Sequence, residues 1–450
     1  MRGTIGGKIG SNLTPVDIVE MTAAYGKWLI NTGQPKKVVV GRDGRISGPI
    51  VSQLAIQTLL SMGISIVDLG LSTTPTVEVA VPEENAGGGI IFTASHNPRQ
   101  WNALKLLNHK GEFISAEDGA YILKVADERD IEFCPIDELG SYAVSNSYID
   151  IHIDKILNLS VFDVDSIGQR RFKVVVDCIN STGALALPPL FERIGVDYEL
   201  MNQDVTGEFA HNPEPVPANL ADLAARVVSR KADLGIAVDP DVDRLVFVCE
   251  DGTMFSEEYT IVAAADFILK QKAGNTVSNL SSSRALSDIT KKHGGTYHYS
   301  AVGEVNVVSK MKEVNAVIGG EGNGGVIYPE LHYGRDALVG IVMVLNHLAD
   351  LNVSLSELKK SYPNYQIIKD KIVLENDEDI SAILDKIKNV YLGEEINEED
   401  GLKIDFADGW VHIRASNTEP VLRVIAESGS ALEAQTIVDN ILKLINNGHA

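Results

Sequence analysis

The sequence has little cysteine, a shortage of basic residues and no long apolar run. Its three cysteines, Cys134, Cys178 and Cys249, are far apart and fit no CxxC metal pattern. We interpret them as reduced, mostly buried thiols, which predicts a cytoplasmic protein. No apolar run reaches the roughly 18 residues that a membrane span requires, and nothing resembles a signal peptide. The sequence therefore predicts no membrane partner.

Positive charge is the scarcer sign. Lysine and arginine total 39 against 62 aspartates and glutamates, which gives a net charge of −23 at pH 7. Such a chain has no obvious cationic field, and this argues against nucleic acid and anionic membranes as partners. A small anionic substrate stays possible, but it would require arginines and lysines gathered in one place.

Strands and helices alternate for most of the chain, and a length of 450 residues suggests roughly three domains. A strand–loop–helix pattern begins at residue 36 and recurs from residues 171 and 275. After "SYPNY" the pattern changes to a helix, two strands and a final amphipathic helix. The alternation predicts three related α/β domains with mixed, largely parallel sheets, followed by a smaller α+β domain. We place these domains at residues 1–145, 146–250, 251–360 and 361–450.

Three of the predicted strands run directly into dense polar loops, in "GGIIFTASHNP", "DLGIAVDPDVDR" and "AVIGGEGNGG". Parallel sheets bind ligands beyond the carboxyl ends of their strands, so we expect the three loops to face one cleft. The first loop crowds Ser95, His96 and Asn97 together. An ordinary polar turn at Asn-Pro is the alternative interpretation of that loop.

The second loop, "DPDVDR", places Asp239, Asp241 and Asp243 at alternate positions. In extended backbone such residues project to one side, where three carboxylates repel one another unless a cation lies among them. Oxygen ligands favour a hard divalent ion, Mg²⁺ above all. An EF-hand is excluded because Arg244 stands where that loop requires glycine. A solvated acidic loop stays the alternative.

A later stretch, "RASNTEP", follows a predicted strand. Its polar side chains can surround a phosphate with a guanidinium fork, hydroxyls and backbone N–H groups. The residues concerned are Arg414, Ser416, Asn417 and Thr418, with Arg423 adding charge nearby. An ordinary polar turn closed by proline is the alternative.

The third loop, "GGEGNGG", sets Glu321 and Asn323 among small residues. Glycine lets backbone approach a ligand closely, and a carboxylate can accept hydrogen bonds from two neighbouring sugar hydroxyls. A flexible surface loop is the alternative. The local cations that an anionic ligand would need are available elsewhere in the sequence, at Arg2, Arg42, Arg45 and Lys105.

In order and spacing, "TASHNP" with Lys105, "DPDVDR", "GEGNGG" and "RASNTEP" together resemble the motifs of the α-D-phosphohexomutases. The resemblance covers essentially the whole chain. It implies four domains, three of them α/β and the C-terminal one smaller, arranged around a central cleft. It also implies that the bound partner is a small-molecule sugar phosphate, and it leaves open whether the chain is a monomer or a homodimer.

The resemblance assigns a role to each motif residue. Ser95 is the phosphorylated serine, oriented by His96 and Asn97. The ligands of Mg²⁺, beside a seryl-phosphate oxygen, are Asp239, Asp241 and Asp243. Proton transfer or charge stabilisation is assigned to Lys105 and Arg244, sugar recognition to Glu321 and Asn323, and the clamp on the non-reacting phosphate to Arg414, Ser416, Asn417 and Thr418. Arg2 matches an arginine in a Ser-Gly-x-Arg-Gly opening, so we expect natural residues before Met1.

The implied reaction moves a phosphoryl group twice. Phospho-Ser95 gives its phosphoryl group to a hexose 1- or 6-phosphate, and the resulting hexose 1,6-bisphosphate, which also serves as activator, turns end for end and returns the other one. The "GEGNGG" form favours glucosamine phosphate as substrate, ahead of mannose and glucose phosphates. Two alternatives stay open: a Mg²⁺-dependent phosphatase that uses the same serine, and a catalytically silent sugar-phosphate binding protein.

The sugar-reading loop departs from the family pattern. Many relatives read Gly-Glu-x-Ser-Gly-His, whereas this chain has Asn323 at the serine position and Gly325 at the histidine position. A histidine that could shuttle a proton is therefore missing there. We expect either His332, seven residues further on, or Lys105 to take that role.

Overall fold

In the computed structural model, which describes residues 4–373, 380–415 and 421–446, four sheets follow one another along the chain. The first three are mixed and carry helices, and the fourth is antiparallel throughout. The predicted fold class, three α/β domains and a smaller C-terminal domain, is therefore confirmed. Every helix in the described ranges is too short or too polar to span a lipid bilayer.

The first sheet has the strand order β1-β5-β4-β2-β3-β6. Its strands are β1 (Thr4–Lys8), β2 (Lys37–Arg42), β3 (Ser65–Leu71), β4 (Gly88–Phe92), β5 (Trp101–Leu107) and β6 (Tyr142–Val144). Its helices are α1 (Pro15–Asn31), α2 (Gly48–Leu60), α3 (Thr74–Glu83) and α4 (Ala116–Glu128). Thr14 and Ser115 begin α1 and α4 with reciprocal caps, because the aspartate three residues later bonds back to each cap.

The second sheet has the order β10-β9-β7-β8, with only the β9–β10 pair antiparallel among its described strands. Its strands are β7 (Lys173–Asp177), β8 (Asp197–Met201), β9 (Leu234–Val238) and β10 (Leu245–Cys249). The accompanying helices are α5 (Tyr148–Leu157), α6 (Val164–Arg170), α7 (Gly183–Ile194) and α8 (Ala221–Arg230).

The third sheet has the order β12-β11-β13-β14. Its strands are β11 (Thr276–Asn279), β12 (Tyr297–Ser300), β13 (Ile318–Glu321) and β14 (Gly325–Ile327). Its helices are α9 (Glu257–Gln271), α10 (Ala285–Lys292), α11 (Glu304–Glu313), α12 (Ala337–Leu351) and α13 (Leu355–Lys360). One apolar core, with Phe191, Phe247 and Leu345 among its members, runs through both the second and the third domain. These two domains therefore form a single packed unit.

The fourth sheet has the order β15-β19-β18-β17-β16. Its strands are β15 (Gln366–Val373), β16 (Glu395–Asn397), β17 (Leu402–Phe406), β18 (Gly409–Ala415) and β19 (Val421–Ser428). Helices α14 (Ile380–Val390) and α15 (Ala431–Asn446) pack with it. Its buried cluster, built around Ile387, Val411 and Ile441, is separate from the core of the second and third domains.

The third and fourth domains meet through polar groups, and we call this surface the III–IV contact. Arg284 donates to the carbonyl oxygens of Gly409 at 2.8 Å and of Phe406 and Ala407 at 3.3 Å. Lys369 on β15 lies 3.1 Å from Glu257 and 3.2 Å from Glu258 at the start of α9. Because water can replace such hydrogen bonds, we expect the C-terminal domain to move against its neighbour.

Glu258 should make the III–IV contact sensitive to pH. Burial raises the pKa of Glu258 from its ordinary 4.5 to about 8, although Lys369 opposes the rise. The folded chain therefore holds this proton more tightly than the unfolded chain does. The resulting stabilisation is fully present below the ordinary pKa and is lost as the pH rises through about 8.

We expect the Glu258→Gln substitution to flatten the fall in melting temperature between about pH 5 and about pH 9, because glutamine does not ionise. Scanning calorimetry at several pH values measures this slope. Glu257→Gln is the matched control, since Glu257 pairs with the same lysine. Equal slopes in the Glu258→Gln variant and the unaltered chain would contradict the assignment.

Candidate functional site

The loops that follow β4, β9 and β13 meet at one place between the first three sheets. The hydroxyl of Ser95 donates to Oδ2 of Asp239 at 2.6 Å. Lys105 on β5 donates to Asp241 at 2.6 Å and to Asp243 at 2.9 Å. Ser95 and Lys105 belong to the first domain, and the three aspartates belong to the second. The structure thus places the predicted serine and the predicted acidic loop in direct contact across a domain boundary.

Ser95 has left-handed backbone, with a φ of 47°, which a residue with a side chain rarely adopts. Arg45 holds the loop in this shape. Its guanidinium donates to the carbonyl oxygens of Ser95 at 2.5 Å, Asn97 at 2.6 Å, and Pro98 and Trp101 at 2.9 Å. The side chain of Arg45, fifty positions before Ser95, therefore fixes the conformation of this loop.

Arg45 was expected among the cations available to an anionic ligand, and that expectation is wrong. Its side chain is completely buried and forms an ion pair with Asp43 at 3.0 Å. Asp43 also accepts a hydrogen bond from the Thr93 hydroxyl at 2.7 Å. Because the donors of Arg45 are already used by carbonyl oxygens and Asp43, none points toward a ligand.

His96 and Asn97 complete the serine loop. Nδ1 of His96 lies 3.4 Å from the Ser95 hydroxyl. Burial and the nearby Arg244 guanidinium lower the pKa of His96 well below its ordinary value, so its imidazole is neutral at pH 7. Asn97 donates to the carbonyl oxygen of Ala94 at 3.1 Å, which tightens the turn.

The three aspartates of the acidic loop are buried, and one carboxylate oxygen from each lies within 4.8 Å of the others. They do not converge by alternation along an extended strand, as the sequence suggested. Val242 has a φ of 62°, and its N–H donates to the carbonyl of Asp239 at 3.0 Å, so the loop is a turn. A β-branched residue is strained in this conformation, and such strain is common at functional sites.

The carboxylate oxygens of this loop fit a divalent cation. Among the described residues, Oδ1 of Asp241 and Oδ1 of Asp243 are buried without a hydrogen-bond partner. Oδ1 of Asp239 accepts the backbone N–H groups of residues 243 and 244, and its Oδ2 faces the Ser95 hydroxyl. Buried carboxylate oxygens without partners cost free energy that a bound cation would recover. The three aspartates could therefore hold a metal ion.

Cations surround these aspartates. Burial opposes charge on Lys105, but Asp241 and Asp243 raise the pKa of Lys105 well above its ordinary value, so it stays an ammonium. Asp243 also accepts from Arg335 at 2.8 Å, and these cations hold the pKa of Asp243 low despite its burial. Arg244 is buried and lies 3.7 Å from Glu214. Lys105, Arg335 and Arg244 therefore lie together at this site, although the chain as a whole carries a negative net charge.

Glu321, in the loop predicted to read the sugar, is buried, and each of its carboxylate oxygens accepts two hydrogen bonds. Its Oε1 accepts from Asn279 at 2.8 Å and from the Gly303 N–H at 3.2 Å. Its Oε2 accepts from Asn323 at 3.2 Å and from Arg335 at 3.0 Å. A carboxylate has about four lone-pair positions, so Glu321 must exchange a partner before it can accept from a sugar hydroxyl.

The predicted phosphate clamp is described in part. Arg414 ends close to Asp400, with its Nε 3.4 Å from Oδ2 of that residue. Arg423 is its direct neighbour on β19, and such pairs lie on the same face of an antiparallel sheet. Two guanidinium groups on one face of these strands are suited to bind an anion. The remaining clamp residues, Ser416, Asn417 and Thr418, lie outside the described residues, as does Arg2.

His332, a candidate for the missing histidine, is engaged elsewhere. Its Nδ1 lies 3.3 Å from Glu78 and its Nε2 lies 3.4 Å from Asp336. Although burial opposes it, these two carboxylates raise the pKa of His332 to about 10. An imidazolium held between two acids is poorly suited to shuttle protons at neutral pH.

Two residues of the site were missed by the sequence analysis. The hydroxyl of Thr74 donates to Asp241 at 2.5 Å. Arg335 contacts Asp243, Glu304 and Glu321. The residues that Thr74 and Arg335 contact are distant from them in sequence. No local spacing pattern could therefore have indicated either residue.

Comparisons with known proteins cover the whole of this architecture. Profiles of phosphoglucomutase/phosphomannomutase alpha/beta/alpha domains I, II and III match residues 1–132, 150–252 and 256–365, and the profile of the C-terminal domain matches residues 368–444. A "Phosphoglucomutase/phosphomannomutase" of Thermococcus kodakarensis is 35% identical, covering 98% of each chain. A "Phosphoglucosamine/phosphogalactosamine mutase" of Sulfurisphaera tokodaii is 31% identical, covering 98% of this chain and 97% of its own.

A solved structure shows the same arrangement of domains. It is that of a phosphoglucomutase/phosphomannomutase family protein from Burkholderia thailandensis, with 26% identity and a TM-score of 0.87. The match covers 99% of this chain and 96% of that one. The order of the four sheets along the chain is therefore that of a known architecture.

Proposed function

The chain belongs to the phosphoglucomutase/phosphomannomutase family, whose members are phosphohexomutases, and on that premise we propose glucosamine phosphate as its substrate. One observation carries the proposal for the chemistry. The Ser95 hydroxyl contacts the buried Asp239, and Asp241 and Asp243 beside it each have a buried carboxylate oxygen with no hydrogen-bond partner among the described residues. A hydroxyl in that position can carry a phosphoryl group beside a cation.

We propose that phospho-Ser95 transfers its phosphoryl group to the free hydroxyl of a hexose phosphate. The P–O bond to Ser95 breaks and a P–O bond to the sugar oxygen forms, while the sugar hydroxyl gives up a proton and the Ser95 oxygen gains one. In the return step the P–O bond at the other end of hexose 1,6-bisphosphate breaks and a P–O bond to Ser95 forms, while the Ser95 hydroxyl gives up its proton and the released sugar oxygen gains one. The bisphosphate is thus both intermediate and activator.

The metal in this proposal is Mg²⁺, held by Asp239, Asp241 and Asp243. When bound, it neutralises charge on the transferring phosphoryl group. Lys105 and Arg244 add fixed positive charge at the same place, and His96 orients the serine side chain. Glu321 and Asn323 bind the sugar hydroxyls once a partner of Glu321 is displaced.

The non-reacting phosphate binds the C-terminal domain in this proposal. Arg414 and Arg423 supply the charge, and Ser416, Asn417 and Thr418 supply the hydrogen-bond donors. Arg2 assists from the start of the chain. Guanidinium groups recognise an anion more than its attachment point, so the clamp accepts a phosphate on either end of the sugar. We also propose a cytoplasmic location, which the three free cysteines support.

The choice of sugar rests on the "GEGNGG" loop and on the Sulfurisphaera tokodaii relative, whose name specifies glucosamine and galactosamine phosphates. The Thermococcus kodakarensis relative, named for glucose and mannose phosphates, supports the second candidate. A coupled assay on glucosamine, mannose and glucose 1-phosphates, each with and without its 1,6-bisphosphate, separates the two. Conversion of none of the three, or steady release of inorganic phosphate instead, would contradict the proposal.

Ser95→Ala tests the phosphoryl carrier. We expect turnover to fall by at least about a thousand-fold, because alanine has no oxygen to form the ester. The phosphorylated peptide that contains residue 95 should also be lost from the mass spectrum. Ser52→Ala is the matched control, since Ser52 bonds only within its own helix turn among the described contacts. Unchanged turnover in the Ser95→Ala variant would favour a different carrier.

A further inference from the structure

Position 325 has no room for a side chain. A Cβ atom there would lie 2.3 Å from Cδ and 2.9 Å from Cγ of Arg335, closer than atoms of a protein can approach. Gly325 belongs to β14 and does not have the left-handed backbone that favours glycine. The glycine is therefore required by the side chain of Arg335. The arginine stem therefore occupies the space that a side chain at position 325 would need.

Arg335 connects three loops of the site through one guanidinium. Its Nη2 donates to Asp243 at 2.8 Å, its Nε to Glu304 at 3.0 Å and its Nη1 to Glu321 at 3.0 Å. The side chain is about nine-tenths buried. The planar guanidinium presents its donors at fixed angles, so the three carboxylates cannot move independently. The acidic loop and the sugar-reading loop are thereby held at one distance from each other.

The backbone around Arg335 is itself fixed. Its N–H donates to Glu304 at 3.2 Å, and the residue pairs with Ile327 through an isolated β-bridge. Asp336, the next residue, caps the start of α12 by accepting from Leu338 at 2.8 Å. The stem of Arg335 therefore leaves a rigid base, and the position of its guanidinium is set by the fold.

We propose that Arg335 is a positioning residue that aligns Asp243 with Glu321. This inference rests on the proposed function, in which Asp243 faces the metal and Glu321 faces the sugar. Because arginine stays protonated in proteins, Arg335 does not shuttle protons. Its role is to hold the acidic loop and the sugar-reading loop in a fixed relative position.

The experiment compares full-length Arg335→Ala and Arg335→Lys proteins with the unaltered chain. Calorimetric titration with Mg²⁺ alone measures metal affinity, and steady-state kinetics with each hexose 1-phosphate measures kcat and KM. We expect Arg335→Ala to weaken Mg²⁺ binding by about ten-fold or more and to lower kcat/KM by about a hundred-fold. Arg335→Lys should not restore either value, because an ammonium cannot span three carboxylates.

Arg335→Lys separates positioning from charge, because lysine keeps the positive charge but has a single ammonium in place of the planar guanidinium. Arg193→Ala is the control, since Arg193 pairs with Asp150 and Asp154 far from the site. Loss of Mg²⁺ affinity and of kcat/KM in both Arg335 variants, with neither quantity changed in Arg193→Ala, supports the proposal.

Two results would overturn the proposal. The first is Mg²⁺ affinity and kcat/KM of Arg335→Ala within about three-fold of the unaltered chain. The second is an Arg335→Lys protein that matches the unaltered chain in both quantities, because positive charge alone would then be sufficient. Failure of the proposed function has a different signature: the unaltered chain converts no hexose phosphate, and the Mg²⁺ titration still reports on Arg335.

Discussion

Replacing Arg45 with methionine should lower turnover by at least about a thousand-fold and also destabilise the first domain. Methionine fills the volume but donates no hydrogen bond. The carbonyl oxygens of Ser95, Asn97, Pro98 and Trp101 would then be left without the guanidinium, and Asp43 would keep a buried, uncompensated charge. Breaking a buried ion pair on one side costs about 3–5 kcal/mol.

The two effects of the Arg45→Met substitution can be separated. Adding Asp43→Asn removes the uncompensated charge, so the double variant should regain stability in scanning calorimetry. It should not regain turnover, because the serine loop still lacks its support. Arg129→Met is the control, since Arg129 forms an exposed pair with Glu20 and should change stability by less than about 1 kcal/mol. A double variant with restored turnover would show that the guanidinium does not position Ser95.

Asp239→Asn should lower Mg²⁺ affinity by at least about a hundred-fold and turnover by about a thousand-fold, without destabilising the metal-free chain. Burial, together with Asp243 and Asp241, raises the pKa of Asp239, which shows that its charge is unfavourable where it lies. Among the described residues Asp239 accepts only from neutral donors, at Ser95 and two backbone N–H groups. Asparagine removes the repulsion and keeps the amide oxygen as an acceptor.

Asp243→Asn provides the contrast. Asp243 accepts from both Lys105 and Arg335, so its loss removes one carboxylate partner from each of two buried cations. We expect this variant to melt earlier than the unaltered chain when no metal is present, whereas Asp239→Asn melts at the same temperature or later. Calorimetric titration with Mg²⁺ and scanning calorimetry without it measure the two quantities. A lower melting temperature for metal-free Asp239→Asn, or unchanged Mg²⁺ affinity, would contradict this account.

The sequence pattern predicts the fold because its signals are local. The apolar run that ends in "GIIF" becomes β4, and the polar loop beyond it lies at the carboxyl end of a strand, as expected. Strand ends and loop positions follow from neighbouring residues, and the meeting of the three loops follows from the rule that parallel sheets bind ligands beyond the carboxyl ends of their strands. The reduced state of the cysteines also agrees with the structure, in which Cys178 and Cys249 are buried and Cys134 is partly buried.

The parts that sequence reasoning misjudged depend on long-range pairing. Arg45 resembles a free cation in sequence, and only the folded chain brings four carbonyl oxygens to it. Val242 gives no sign of left-handed backbone, because β-branched residues avoid that conformation unless their surroundings impose it. Arg335 meets its carboxylates across loops that are distant in sequence. Side-chain networks of this kind are therefore outside what spacing and composition predict.

The way Arg284 binds the C-terminal domain bears on how this chain can diverge. Its guanidinium reaches the carbonyl oxygens of Phe406, Ala407 and Gly409, and every amino acid supplies such an oxygen. Mutations at position 407 can accumulate while these acceptors stay in place, whereas Phe406 also packs against Tyr391 in the apolar cluster of the C-terminal domain. Gly409 is different, because a Cβ there would lie 2.3 Å from the carbonyl oxygen of Glu427. The side chain at position 407 can thus change in evolution while the two domains keep the same backbone contact.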